Sequence, residues 1–162
     1  MDYRTGADTT VQSFNLKPQN TMSIPAERSE PPAPGEGNRK LRLLLVEDHG
    51  DTAVILTRLL KKMGHDVVAA ETLDGARHAA AAEMAAGGID FVISDLGLPD
   101  GSGLDLMREL SSKYGLRGVA LSGFGRDFDV EQSHAAGFSR HLTKPINVLL
   151  LRKTISELSQ EM

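Results

Sequence analysis

The stretch Ile89-Asp90-Phe91-Val92-Ile93-Ser94-Asp95 decides both the fold and the candidate site of this chain. It is a nearly continuous apolar run that ends in a carboxylate, and such a run is typical of a central strand buried on both faces. Other apolar runs also end in side chains that carry chemistry. They are Leu41 to Val46, followed by Glu47 and Asp48; Val119 to Leu121, followed by Ser122; and Phe138 to Thr143, followed by Lys144 and Pro145.

Helical patterns separate these apolar runs. Leu56, Leu59, Leu60 and Met63 follow helical spacing, and Ser102-Gly103-Leu104-Asp105 has the form of a capping box that begins a helix. A weaker strand is predicted over residues 65–70. We therefore predict an α/β fold in which a doubly wound, five-stranded parallel sheet is covered on both faces by five helices. The other predicted helices are 73–86, 127–136 and a last one with Val148, Leu151, Ile155 and Leu158 as its buried stripe.

The composition excludes several classes of protein. The chain has 162 residues, no Cys and a formal net charge of −4. Without Cys the chain can form neither a disulfide framework nor a thiolate metal site. The mildly acidic sequence also has no stripe of basic residues of the kind that nucleic-acid-binding proteins carry. No apolar stretch reaches the roughly 20 residues of a membrane span, and no secretory signal is visible. We predict a cytoplasmic protein with no nucleic-acid partner and no direct membrane contact from this segment.

Residues 1–40 differ in composition from the rest of the chain. They hold five of the seven prolines and few large apolar residues, so they bury too little apolar surface to offset their ordering entropy. Residues 30–37 have the composition of an extended, semi-rigid linker. We predict a flexible, Pro-rich tail over residues 1–40 and a single domain over residues 41–162.

The strand ends predict a phosphoryl site. In an open α/β sheet, ligands bind beyond the carboxyl ends of the strands, and each reactive group is expected just after the last residue of its strand. Carboxylates packed together repel one another, and a hard divalent cation such as Mg²⁺ relieves that repulsion. Asp95 can then attack a phosphoryl donor, while Lys144 supplies a compact positive charge and Ser122 a hydroxyl donor for phosphoryl oxygens. Glu47 and Asp48 complete the predicted acidic cluster.

Four motifs follow one another along residues 41–162. They are Leu44-Leu45-Val46-Glu47-Asp48, Ser94-Asp95-Leu96-Gly97-Leu98-Pro99-Asp100-Gly101-Ser102-Gly103, Leu121-Ser122-Gly123 and Leu142-Thr143-Lys144-Pro145. By the order and separations of these motifs, residues 41–162 resemble the receiver domain of response regulators in two-component signalling. The resemblance implies a flavodoxin-like fold with strand order 2-1-3-4-5 and a cis Lys144–Pro145 peptide.

The resemblance also implies roles for the site residues. Asp95 would accept phosphate from the phosphohistidine of a sensor histidine kinase or a histidine phosphotransfer protein. Glu47, Asp48, Asp95 and the backbone carbonyl of Gly97 would hold Mg²⁺. Phosphorylation would reorder the loops after strands 3 and 4 and alter the face formed by helix 4, strand 5 and helix 5, which a downstream protein would bind.

Two positions depart from the family pattern. The family usually has Tyr or Phe three residues before the lysine, and this chain has His141 at that switch position. Imidazole is smaller, polar and titratable, which puts the usual rotamer switch in question. Phe124 stands two residues after Ser122 and Gly97 two residues after Asp95. Gly97 leaves a phosphoryl group open to water, whereas Phe124 is placed to shield it. The other histidines have no predicted functional role.

Two alternative functions stay open. A phosphatase or phosphotransferase of the haloacid-dehalogenase type also passes through an aspartyl phosphate, but it needs a second acid where this chain has Gly97. A phosphorylation-independent interaction module is disfavoured by the intact acidic pair, Asp95 and Lys144. We predict a phosphoacceptor signalling domain that is not an enzyme beyond its own phosphorylation and dephosphorylation.

The sequence on either side of the predicted domain favours an origin in a larger protein. No segment resembling a DNA-binding output domain follows the last helix, and a Pro-rich tail precedes the first strand. The preferred interpretation is the C-terminal receiver of a hybrid sensor histidine kinase, with a stand-alone regulator as the alternative.

Overall fold

The computed structural model of the chain describes residues 39–123 and 127–162. The predicted tail lies almost wholly outside these residues, and so does Phe124; both predictions stay predictions. Arg39 and Lys40, the last residues of the predicted tail, form ion pairs with Asp90 and Asp66 at 3.2 and 3.0 Å. Leu41, the next residue, is fully buried.

The main sheet of the described residues consists of five strands. They are β1 (Arg42–Val46), β2 (Asp66–Ala70), β3 (Phe91–Asp95), β4 (Arg117–Ser122) and β5 (Phe138–Thr143). The strands are parallel and lie in the order β2-β1-β3-β4-β5, which confirms the predicted fold class and strand order. A short antiparallel pair, Gly97–Leu98 with Gly101–Ser102, lies in the loop after β3 and was not predicted.

Within residues 39–123 and 127–162, five helices alternate with the strands, as predicted from the sequence. They are α1 (Gly50–Lys62), α2 (Leu73–Ala86), α3 (Gly103–Tyr114), α4 (Asp127–Ala136) and α5 (Val148–Gln160).

Among the residues that the structure describes, side chains cap the first turns of α2, α3 and α5. Thr72 Oγ1 accepts from Gly75 N at 3.0 Å before α2, and the Asn147 side chain accepts from the first turn of α5. Ser102 Oγ accepts from Leu104 N at 3.1 Å before α3. The predicted cap at Ser102 is thus confirmed, although Asp105 forms an ion pair with Arg108 at 2.6 Å.

The apolar interior is divided by the sheet into two clusters. Alternate residues of β1 point to opposite faces, so Leu44 and Val46 join the cluster of α2, α3 and α4. Leu43 and Leu45 join the cluster of α1 and α5. The prediction that Val148 belongs to the buried stripe of α5 is wrong. Val148 is 44% exposed because it begins the helix at the open end of the sheet, and the buried residues of α5 are Leu151, Thr154, Ile155 and Leu158.

The register aligns the carboxyl ends of β1, β3, β4 and β5. Val46 pairs with Ser94, Asp95 with Leu121, and Ser122 with Thr143. Backbone pairing therefore extends one residue further than expected on two strands. Asp95 and Ser122 are the last residues of β3 and β4, whereas Glu47 and Lys144 directly follow β1 and β5.

Candidate functional site

Lys144 joins the two acidic strand ends. Its Nζ lies 2.6 Å from Asp95 Oδ2 and 2.8 Å from Glu47 Oε2, although 49 and 97 residues of chain separate the partners. The Glu47 side chain is fully buried, and the Asp95 and Lys144 side chains are 15% and 27% exposed. Because Glu47 has no access to solvent, the ammonium is the positive charge that compensates it.

The protonation of Lys144 reflects two opposing effects. Partial burial alone lowers the pKa of the lysine, but the hydrogen bonds and charges of Asp95 and Glu47 outweigh burial and raise the pKa above its ordinary value. Lys144 is therefore a fixed cation at neutral pH, which suits a group that contacts phosphoryl oxygens. The peptide bond that follows it, Lys144–Pro145, is cis, as the resemblance implied.

Asp95 is oriented from both sides. Its Oδ2 accepts from Lys144, and its Oδ1 accepts from Gly97 N at 3.2 Å. Gly103, the first residue of α3, packs against the backbone of Asp95, so close that an added Cβ would overlap with the carbonyl oxygen of Asp95. A side chain at position 103 would thus displace the backbone that carries the carboxylate.

Asp100 connects the loop after Asp95 to the start of α2. Its carboxylate oxygens accept from Leu73 N at 2.8 Å and from Asp74 N at 3.1 Å. The hydrogen bond from Leu73, chiefly, lowers the pKa of Asp100 below its ordinary range. The sequence prediction gave Asp100 no separate role, since its partners lie 27 and 26 residues away.

The acidic residues after β1 form a cluster of potential metal ligands. Within the described part of the chain, ligand atoms of Glu47, Asp48 and His49 all lie within 4.8 Å of one another. Glu47 is already engaged, because Oε2 accepts from Lys144 and Oε1 from His49 N at 3.2 Å. Asp48 is 32% exposed on its side chain, and His49 Nδ1 lies 3.9 Å from its Oδ1. His49, which had no predicted role, thus lies beside the predicted acids.

The oxygen donors predicted to hold Mg²⁺ suit that ion by their chemistry, although the described group with ligand atoms within 4.8 Å is Glu47, Asp48 and His49 and does not include Asp95. The carboxylates of Asp48 and Asp95 stand at the same end of neighbouring strands, since Val46 pairs with Ser94. Carboxylate and carbonyl oxygens are the ligands that Mg²⁺ prefers, and the carbonyl of Gly97 comes from the loop directly after Asp95. The chemistry of the residues therefore matches the predicted ion, with Glu47 as the member most occupied by other contacts.

Ser122 contacts the histidine at the predicted switch position. Ser122 Oγ lies 2.7 Å from His141 Nε2, and His141 Nδ1 lies 3.1 Å from Ser133 Oγ on α4. The Ser133 hydroxyl donates to Val130 O at 2.8 Å. Ser133 was missed by the sequence prediction, because neither its residue type nor its spacing from His141 indicates a contact.

A parallel sheet that presents a carboxylate, an acidic pair, a hydroxyl and a lysine at one edge defines the receiver class of signalling domains. The chain belongs to the response regulator receiver domain family, whose model matches residues 43–156, more than half of the chain. A solved response regulator receiver domain protein from Clostridium thermocellum has a similar fold, with a TM-score of 0.69, 22% identity, and coverage of 75% of this chain and 95% of that chain.

Two curated relatives are sensor or regulatory proteins. The virulence sensor protein BvgS of Bordetella bronchiseptica is 32% identical over 166 residues, covering 94% of this chain and 13% of the relative. The sensory/regulatory protein RpfC of Xanthomonas campestris pv. campestris is 32% identical over 126 residues, covering 75% of this chain and 17% of the relative. The chain thus spans less than a fifth of the length of these relatives. None of the helices in the described residues is long and apolar enough to cross a membrane.

Proposed function

We propose that this domain is the phosphoacceptor of a two-component phosphorelay and that Asp95 receives the phosphoryl group from a kinase phosphohistidine. The observation that supports this most is the bridge from Lys144 to Asp95 and Glu47 at the carboxyl edge of the sheet. It provides a partly accessible carboxylate with a fixed cation beside it, which is the pair that phosphoryl transfer to an aspartate requires.

In the proposed reaction a carboxylate oxygen of Asp95 forms a bond to phosphorus as the bond between phosphorus and the donor imidazole breaks. The donor nitrogen retains the electron pair of the broken bond and takes up a proton. Lys144 and Gly97 N hold the Asp95 carboxylate in one orientation, so little reorganisation is needed before attack. Asp48, Asp95 and the Gly97 carbonyl, with Glu47 behind them, are the groups that would hold Mg²⁺, which when bound offsets the negative charge gathered on the phosphoryl oxygens.

The donor must reach Asp95 from the open end of the sheet. A groove of about 300 Å³ lies between α1 and the start of α5, and Lys144 lines both this groove and the site. Ile55 and Val148 in its wall are 65% and 44% exposed, and Leu149 beside it is 76% exposed. Large exposed apolar side chains next to a reaction site are typical of a protein-docking surface. We assign this surface to the histidine-bearing donor.

The downstream partner is proposed to bind the face of α4, β5 and α5. The hydrogen bond between Ser122 at the candidate site and His141 on β5 connects the site to this face, which supports the assignment. The likeness to sections of two much longer sensor and regulatory proteins supports an origin as the receiver of a hybrid sensor kinase. The cytoplasmic location stays a prediction.

The test is phosphorylation by a small-molecule phosphodonor in the presence of Mg²⁺. The wild-type domain should take up base-labile phosphate, and Asp95→Asn should take up none. Asp105→Asn is the matched control, because it makes the same chemical change at an exposed carboxylate on α3. Removal of Mg²⁺ by a chelator should also prevent uptake. Equal uptake by Asp95→Asn and the wild type would disprove the assignment.

A further inference from the structure

Three side chains form a continuous hydrogen-bonded connection from the site to α4. Ser122 at the end of β4 contacts one nitrogen of His141 on β5, and the other nitrogen contacts Ser133, at 2.7 and 3.1 Å. Ser133 is fully buried and Ser122 is 7% exposed, so water has little access to either end of the connection.

The hydrogen bond that Ser133 donates to Val130 determines where the protons of this connection lie. A serine hydroxyl has one proton, and that of Ser133 is donated to the carbonyl oxygen of Val130. Towards His141, Ser133 must therefore accept, so Nδ1 of the imidazole carries a proton. In a neutral imidazole the other nitrogen, Nε2, is then an acceptor, and the hydroxyl proton of Ser122 is donated to it.

We propose that neutral His141 holds the hydroxyl proton of Ser122 in the unphosphorylated protein and that Ser133 maintains the tautomer responsible. His141 and Ser133 are thus positioning residues for the phosphoryl site. This inference rests on the proposed function and adds its regulation. Ser122 must leave Nε2 before its hydroxyl can donate to a phosphoryl oxygen on Asp95. Phosphorylation therefore changes the hydrogen bonding of His141 and, through Nδ1, that of Ser133 on α4.

The substitution Ser133→Ala separates this proposal from a purely structural role. It removes the Ser133 hydroxyl oxygen that favours a proton on Nδ1, so the imidazole proton can move to Nε2 and donate to Ser122 Oγ. The Ser122 hydroxyl proton then becomes available to a phosphoryl oxygen. Phosphorylation of Asp95 by a small phosphodonor should accelerate about threefold to tenfold, the factor that one net hydrogen bond is typically worth.

Ser159→Ala is the matched control. Ser159 lies on α5 and its hydroxyl donates to the carbonyl of Ser156 at 2.8 Å, the same local pattern as Ser133 and Val130. It should leave the phosphorylation rate unchanged. In a His141→Phe background, Ser133→Ala should also have no effect on the rate, because the side chain that connects Ser133 to Ser122 is gone.

Nitrogen-15 NMR of the histidine rings measures the tautomer directly. In the wild type, His141 should have a protonated Nδ1 and an unprotonated Nε2, and Ser133→Ala should move the proton to Nε2. Beryllofluoride with Mg²⁺, a mimic of the phosphorylated state, should shift the Nε2 resonance as Ser122 leaves it. A protonated Nε2 in the resting wild type, or identical rates for wild type and Ser133→Ala, would overturn the inference.

The two levels of the proposal fail in different ways. Absence of phosphate uptake by the wild type refutes the proposed function, whatever tautomer is observed. Uptake by the wild type together with an unaltered rate and tautomer in Ser133→Ala refutes the role of His141 and Ser133 alone.

Discussion

Replacement of Lys144 by Met should destabilise the domain by about 2–4 kcal/mol at neutral pH. Lys144 compensates a fully buried Glu47 and a mostly buried Asp95 at 2.8 and 2.6 Å. Removal of one partner of a buried ion pair typically costs about 3–5 kcal/mol, because a buried charge is left uncompensated. The lower range expected here reflects the partial exposure of Lys144 and Asp95. Met retains most of the aliphatic contacts, so the loss reports mainly on charge.

The assay is urea denaturation followed by far-ultraviolet circular dichroism, since the chain has no Trp for fluorescence. With a urea dependence of about 2 kcal/mol per M, the middle of the usual range for small proteins, the midpoint should fall by roughly 1–2 M. Lys153→Met is the control, because Lys153 is 72% exposed and its ion pair with Glu157 is 3.7 Å long, so it should lose less than about 1 kcal/mol. Mg²⁺ should stabilise Lys144→Met more than the wild type, because it supplies part of the missing positive charge.

The alkaline dependence provides a second check on the same variant. The pKa of Lys144 is raised above its ordinary 10.5, so the folded state retains a proton that the unfolded chain loses. The difference in stability between wild type and Lys144→Met should persist up to about pH 10.5 and diminish above it. Equal midpoints for Lys144→Met and Lys153→Met at neutral pH would refute the reasoning.

Two further predictions concern buried groups outside the ion pairs. His65 is only 4% exposed, and its Nδ1 accepts a hydrogen bond from Leu41 N. Desolvation lowers the pKa of His65 below its ordinary value of 6.5. In acid the unfolded chain therefore binds more protons than the folded domain, and the free energy of unfolding should fall as the pH drops below about 6.5. His65→Asn, which keeps an acceptor, should flatten this part of a pH series of urea midpoints, and an unchanged slope would contradict the assignment. Gly103→Ala should cost about 1–3 kcal/mol in thermal or urea unfolding, because its Cβ would overlap with the backbone of Asp95; Gly50→Ala, with open space around it, is the control.

The sheet and most of the site could be predicted because their signals are local. The buried runs through Val46 and Ser94 indicate central parallel strands, and parallel strands necessarily bring their carboxyl ends together. That rule alone places Glu47, Asp95 and Lys144 at one edge, where Lys144 Nζ lies 2.8 Å from a carboxylate oxygen of Glu47 and 2.6 Å from one of Asp95.

The remaining features depend on three-dimensional packing that residue spacing does not record. The contact of Ser133 with His141 depends on how α4 turns against β5, and nothing in the residue types marks it. The exposure of Val148 likewise follows from where α5 begins relative to the sheet edge, although its helical spacing matches the buried residues. Asp100 accepts hydrogen bonds from the first residues of α2, and this contact forms only because the loop after β3 folds back towards that helix.

The separation of the apolar interior by the sheet makes this domain suitable for stepwise engineering. Leu151 and Leu158 pack with α1 on one side, whereas Phe138 packs with α3 and α4 on the other. Stabilising changes confined to the first side lie across the sheet from α4, so their effects should add to those of substitutions at Ser133. A thermally robust background can therefore be built from α1 and α5 in which weakened signalling variants still fold well enough to be measured.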